Sequence, residues 1–170
     1  MRLEPAQYER LAPGELSLFR YASWHRDCGL APILVGALAA ETFGALQEVD
    51  EGHAAAVAPG RWVWIATNAG EVPMAAPDCI RADLSAAVMG YRLARSLLDA
   101  LLRRYVPARL DANLLVPGYR RIGFATWAIE LAILPNRPPL VIVPRGHAAN
   151  FEALATLGPA EPTEPGSASS

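Results

Sequence analysis

Apolar residues recur at regular spacings along the chain, and these spacings predict a mixture of helices and strands. Between residues 84 and 105 an apolar side chain returns at about every third or fourth position, while arginines and an aspartate occupy the opposite side. This is the period of an α-helix with one buried face. Comparable patterns predict helices at residues 31–49, 83–105, 122–134 and 148–157.

Shorter apolar runs are typical of strands. Residues 61–67 combine β-branched and aromatic side chains, and a turn at residues 68–70 follows, so a hairpin with residues 71–75 is expected. Residues 110–116 and 140–143 are expected to be buried strands. The second half of the chain then alternates strand, helix, strand and helix, which predicts an α/β fold.

Composition excludes some classes of protein. Of the 170 residues, 52% are apolar and 19% are charged, which excludes a chain that is disordered throughout. The net charge of -2 gives no electrostatic reason to expect a nucleic-acid partner. Residues 159–170 are rich in proline and serine and are predicted to be a disordered tail, which leaves a single domain at residues 1–158.

Cysteines and apolar runs bear on metal binding and location. Cys28 and Cys79 lie far apart and have no second ligand at metal-binding spacing, so neither a disulfide nor a metal site is predicted. The longest apolar run, residues 28–40, is shorter than the roughly 20 residues that a membrane-spanning helix needs. The first ten residues lack the apolar segment of a signal peptide. A cytoplasmic protein without a membrane span is therefore predicted.

The strongest chemical signal lies at residues 116–132, where a strand is expected to run through a basic turn into a helix. The first amides of a helix lack partners within the helix, and together with the helix dipole they favour anions. Gly123 and Ala125 would allow close approach of a phosphate. Arg120 and Arg121 could donate charge-assisted hydrogen bonds to it. The sequence therefore predicts a diphosphate site.

The pattern Arg120-x-x-Gly123-x-Ala125, preceded by Val116-Pro-x-Tyr119, resembles motif A of the GNAT acyltransferase superfamily. The resemblance implies a GNAT-like mixed central sheet flanked by helices in a single α/β domain. It also implies transfer of an acyl group from acyl-CoA to the amine of a small molecule or a protein, by direct attack, with Asp111 as the base. The residues that would bind the cofactor are Val116, Tyr119, Arg120, Arg121, Gly123, Phe124, Ala125, Thr126 and Asn150.

Two alternatives stay open. The segment around His25 also resembles the toxin-activating lysine acyltransferases of RTX systems, which share the fold. That resemblance implies acyl carrier protein as the donor, with His25 and Asp111 as catalytic residues, since an imidazole can act as a base and a carboxylate can orient it. The other alternative is a non-catalytic helical adaptor that docks proteins on the arginine face of residues 84–105. An exposed apolar patch, without a concave pocket near Gly123, would favour the adaptor.

Overall fold

The computed structural model describes residues 7–23, 43–68, 71–73, 79–107 and 114–157. These residues form ten strands and two α-helices. The strands are β1 (Tyr8–Arg10), β2 (Ser17–Ser23), β3 (Gln47–Val49), β4 (Gly52–Ala58), β5 (Arg61–Ala66), β6 (Cys79–Asp83), β7 (Val88–Leu93), β8 (Gly118–Phe124), β9 (Trp127–Ile133) and β10 (Leu140–Pro144). The helices are α1 (Arg95–Tyr105) and α2 (Ala148–Thr156).

The strands form two five-stranded sheets. Sheet A has the order β1-β7-β10-β9-β8, and sheet B has the order β3-β4-β5-β2-β6. Every pairing is antiparallel. Strand β1 pairs with β7, with Tyr8 opposite Leu93, although all of sheet B lies between them in sequence. The predicted α/β fold, with a mixed sheet flanked by helices, is therefore wrong.

The two helices and the two sheets form three layers. Helices α1 and α2 cover one face of sheet A, where Leu98, Phe124 and Phe151 belong to one buried cluster. The opposite face of sheet A packs on sheet B, where Leu18 of β2 and Ile142 of β10 belong to a second buried cluster. The outer face of sheet B carries a third buried cluster around Trp64. Both faces of both sheets are therefore largely apolar.

Burial on both faces explains why residues 122–134 resemble a helix in sequence. They form the end of β8, a two-residue turn and β9. Ile129 and Leu131 point towards the helices, whereas Glu130 and Ala132 point towards sheet B. A strand that is buried on both sides is apolar almost throughout, so its period of two is obscured. The predicted helix at this place is wrong.

The helices predicted at residues 31–49 and 83–105 also differ from the elements that the structure contains. Helix α1 confirms the second half of the helix predicted at residues 83–105, but the first half contains β7, in which Met89, Tyr91 and Leu93 alternate into the core. Residues 47–49 form β3 instead of the end of a helix, and residues 31–42 lie outside the described part. Residues 114–117 form turns rather than a strand.

Three predicted elements are confirmed. Residues 61–66 form β5, residues 140–144 form β10, and α2 occupies the place of the closing helix. The hairpin partner of β5 is β4, and residues 71–73 lie outside any strand. The predicted disordered tail lies outside the described residues.

Candidate functional site

The segment predicted to bind a diphosphate forms a β-hairpin. Strand β8 ends at Phe124, Ala125 and Thr126 form the exposed turn, and Trp127 opens β9 opposite Phe124. The amide of Ala125 donates to the carbonyl of Tyr105, at 2.9 Å. The segment therefore lacks the helix N-terminus on which the predicted diphosphate site depended.

Arg120 has a structural role in this arrangement. Its Nη1 donates to the carbonyl oxygens of Leu114 and Val116, at 2.8 and 2.9 Å. Arg95 of α1 donates to the carbonyl of Leu115 between them, at 3.3 Å. Burial lowers the pKa of the Arg120 guanidinium. The two arginines hold the turn before β8 by its main chain.

The remaining predicted cofactor residues lie on different faces of the structure. Tyr119 is buried between the sheets, whereas Phe124 is buried on the helix side of sheet A. Arg121 and Gly123 are exposed, and a Cβ atom at Gly123 would meet no atom within 4 Å. Asn150 is exposed on α2, one residue before Phe151, whose ring lies 5.9 Å from that of Phe124. Because Tyr119 and Phe124 lie on opposite faces of sheet A, the predicted site is not assembled as expected, and binding of acyl-CoA stays a prediction.

His25 and Asp111, the predicted catalytic pair, lie outside the described residues. Acyl transfer to an amine, whether from acyl-CoA or from acyl carrier protein, therefore stays a prediction. No group of three or more histidine, cysteine, aspartate or glutamate side chains could hold a metal ion in the part of the chain that the structure describes. Within the same ranges, neither helix is long and apolar enough to span a membrane.

An ion pair crosses the interior between the sheets. Arg20 of β2 donates to Oε1 of Glu130 on β9, and the Glu130 side chain is 8% exposed. Tyr119 lies beside this pair, and burial, reinforced by the charge of Glu130, raises the pKa of its phenol. Sequence reasoning missed this cluster. Its signal was a single charged residue in the middle of each of two apolar strands, Leu-Phe-Arg-Tyr and Ala-Ile-Glu-Leu-Ala.

The sheets also meet at a main-chain junction. The amide of Gly44 donates to the carbonyl of Ala56 in β4, at 2.8 Å, and its carbonyl accepts from the amide of Tyr119 in β8, at 2.6 Å. Gly44 and Gly118 both have positive φ angles, +84° and +140°. A Cβ atom on Gly44 would lie 2.7 Å from the Tyr119 oxygen, and one on Gly118 would lie 2.8 Å from the Gly44 oxygen. Close contact here requires glycine at both positions.

Three exposed apolar residues are close in sequence to the residues of this junction, and we call them the Gly44 patch. Phe43 precedes Gly44, Val57 follows Ala56, and Val116 stands three residues before Tyr119. They are 56%, 40% and 42% exposed, respectively. The junction holds the backbone of their neighbours Gly44, Ala56 and Tyr119, and Arg120 holds the carbonyl of Val116.

A cleft opens between the sheets at the end where β5 and β9 finish and β10 begins. Its volume is about 160 Å³. Apolar residues of both sheets line it, among them Ile65, Ala132 and Leu140. Its polar side chains are Glu51, His53, Thr67, Asn68, Arg92 and Arg137.

Arg92 and His53, which both line the cleft, have different electrostatic surroundings. Nη1 of Arg92 lies 3.4 Å from a carboxylate oxygen of Glu9 and 3.5 Å from one of Glu15. Burial lowers the pKa of His53, the Arg137 guanidinium lowers it further, and Glu48 opposes this shift. His53 is therefore largely neutral at pH 7.

Comparison with protein-family models finds no match. Comparison with curated protein sequences also finds none. Among solved structures, the fold is similar to a chain of the heterotetrameric sarcosine oxidase from Corynebacterium sp. U-96 in complex with pyrrole 2-carboxylate, with a TM-score of 0.58 and 13% sequence identity. The match covers 90% of this chain and 84% of that chain. At this identity the likeness shows the fold alone, and with the two antiparallel sheets it shows that the resemblance to the GNAT superfamily is wrong.

Proposed function

We propose that this protein is a subunit of a heteromeric enzyme and that it acts by binding its partner chains. The observation that carries the proposal is the fold, which is shared over most of both chains with a component of a heterotetrameric oxidase. Because a fold alone does not fix a function, the proposal also needs a surface suited to a partner. The proposal keeps the idea of a protein that binds other proteins, which the sequence analysis attached to a helical adaptor, but attaches it to a β-rich structure.

The Gly44 patch is a suitable surface. It presents one aromatic and two aliphatic side chains next to residues whose backbone is hydrogen-bonded to both sheets. Preorganised apolar and aromatic side chains are typical of the centres of protein interfaces, because little conformational freedom is lost when they are buried. We therefore place the main contact with a partner chain at this patch.

The arginine face of α1 is less suited to the same role. Arg103 pairs with Asp99 on its own helix at 2.9 Å, with 79% and 41% of the two side chains exposed. Arg104 lies over the ring of Tyr105, at 5.5 Å. Exposed pairs of this kind contribute little to stability or to binding.

The test is isolation of the tagged full-length protein from its own organism at its native expression level, followed by native mass spectrometry. We expect a complex of fixed stoichiometry that contains this chain and at least one different chain, together with an oxidase activity that co-elutes with the complex. Recovery of the chain as a monomer or as a homo-oligomer would overturn the proposal.

Variants then locate the interface. We expect Val116→Asp and Val57→Asp to lower the recovery of the partner at least tenfold, because each buries a charge at the contact. Leu157→Asp is the matched control, since Leu157 is 72% exposed and follows α2 on the far side of sheet A. Equal loss of the partner in the control, or full retention in the patch variants, would show that the patch is not the interface.

A further inference from the structure

We infer that the cleft between the sheets is a binding site for a small monocarboxylate, with Arg137 as the carboxylate partner. None of the three residues of the Gly44 patch lines this cleft, and the inference does not depend on the proposed assembly. It follows from the hydrogen-bonding capacity, the charge and the volume of the cleft.

Hydrogen-bonding groups in the cleft have capacity to spare. The side chains of His53, Thr67, Asn68 and Arg137 make no hydrogen bond to any other side chain or carbonyl in the described ranges. Thr67 and Asn68 follow the end of β5, whereas Arg137 lies in the turn between β9 and β10. Donors from both sheets thus face one space, as in sites that orient a ligand with a few polar groups.

Arg137 and Arg92 differ in their availability. Two glutamates already neutralise Arg92. Among the described residues Arg137 forms no ion pair, and its guanidinium disfavours the charged form of His53. An arginine fork of this kind matches a carboxylate, to which it can donate two parallel hydrogen bonds.

The acidic groups argue against a multiply charged ligand. Glu51 lines the cleft, and Glu48 acts electrostatically on His53 from the neighbouring strand. A phosphate with two negative charges would be repelled by both carboxylates, whereas a single carboxylate close to Arg137 is repelled less. The charge of the cleft therefore favours a monoanion.

Cleft volume indicates the size of the group that the cleft can hold. About 160 Å³ is available, and an apolar cavity of about 150 Å³ is known to hold one benzene molecule. Ile65, Ala132 and Leu140 provide apolar surface for such a group. A ligand with one carboxylate and an apolar body of about six carbon atoms therefore fits.

Binding should be linked to uptake of a proton. The groups that act on His53 or share its cleft are Glu48, Glu51, Arg92 and Arg137. A bound carboxylate would offset the charge of Arg137 and so favour the protonated imidazole. Affinity should therefore rise as the pH falls from the pKa of His53 in the bound protein towards its lower pKa in the free protein.

The experiment is calorimetric titration of the full-length protein, in its complex if it purifies as one, with benzoate. Benzamide has nearly the same shape without the charge, and inorganic phosphate tests for a multiply charged anion. We expect saturable binding of benzoate, with benzamide and phosphate at least tenfold weaker. Equal affinity for benzamide, or no saturable binding of benzoate, would overturn the inference.

Variants test the roles of the two named side chains. Arg137→Gln should weaken benzoate binding at least tenfold, while Arg121→Gln, at an exposed arginine on β8, should leave it unchanged. His53→Gln should remove most of the pH dependence and keep the binding at pH 8. If Arg137→Gln binds as tightly as the unmodified protein while its unfolding is unchanged, the carboxylate site is not at this place.

Discussion

The guanidinium of Arg20 and the carboxylate of Glu130 join sheet B to sheet A through the interior of the protein. Glu130 is almost fully buried, while 37% of the Arg20 side chain remains exposed. Removing one partner of a buried pair leaves the other charge uncompensated, which costs more than removing both.

We therefore expect Arg20→Met to lower the free energy of unfolding by about 2 kcal/mol, less than for a fully buried pair because the Arg20 side chain is partly exposed. The double variant Arg20→Met with Glu130→Leu should be more stable than Arg20→Met alone, because it leaves no unpaired carboxylate in the interior. Urea denaturation of both single variants and the double variant gives the coupling energy. Additive losses would show that the two side chains do not interact.

Gly44 provides a second prediction on stability. Gly44→Ala should lower the free energy of unfolding by more than about 1 kcal/mol, because it combines a positive φ with a close contact to the Tyr119 carbonyl. Gly123→Ala is the control. It should be neutral or slightly stabilising, since its Cβ atom would lie in open space and alanine is favoured over glycine within a strand. Thermal unfolding of the two variants measures the difference.

Arg120 gives a prediction that separates a structural role from a cofactor-binding role. Arg120→Ala should destabilise the turn at residues 114–117, because two carbonyl oxygens lose their donor. Hydrogen exchange should accelerate there, with a loss of about 1–2 kcal/mol in stability. Arg121→Ala, at the exposed neighbour, should change neither.

Titration of the same two variants with CoA completes this test. If both arginines bind a phosphate, each substitution should weaken CoA binding. Such a result would show that Arg120 does more than hold the turn at residues 114–117. If neither variant changes CoA binding, Arg120 acts on the main chain of the turn.

His53 gives a prediction on pH. Burial and the Arg137 guanidinium lower its pKa in the folded protein, whereas in the unfolded chain it stays near 6.5. Between these two values the unfolded chain binds more protons, so the free energy of unfolding falls as the pH drops below 6.5. Below the folded pKa this contribution levels off.

The measurement is a series of urea denaturation curves between pH 8 and pH 5 for the unmodified protein and for His53→Gln. The pH dependence should be smaller in the variant, and the difference between the two series isolates His53 from the other titrating groups. Identical slopes would contradict the expected shift.

Some elements could be predicted from local sequence because their pattern has one interpretation. Strand β5 is short, aromatic and β-branched, and a turn signal follows it. The β8–β9 hairpin gives no such signal. Its turn places Ala125 at a φ of +51°, a conformation for which glycine or asparagine is the usual residue. Because alanine stands at that position, the sequence shows no turn there. The apolar residues on its two sides then read as one continuous helix.

The candidate sites depend on topology more than on local pattern. Glu51, Thr67 and Arg137 come from three separate turns, and they share a cleft because sheets A and B pack face to face. No spacing in the sequence links them. The Arg20–Glu130 pair could have been suspected from single charges within apolar strands, but pairing the two charges requires the strand order.

The position of β1 beside β7 affects how the protein is made. During synthesis, β1 leaves the ribosome before the other described strands, and every strand of sheet B follows before its own neighbour β7 is available. Sheet B can therefore assemble early, while the edge of sheet A is completed late by a contact that is very distant in sequence. Until the strands of sheet A pack on it, the apolar inner face of sheet B lacks its cover. This interval is when a chaperone or a partner chain would contribute most to the yield of folded protein.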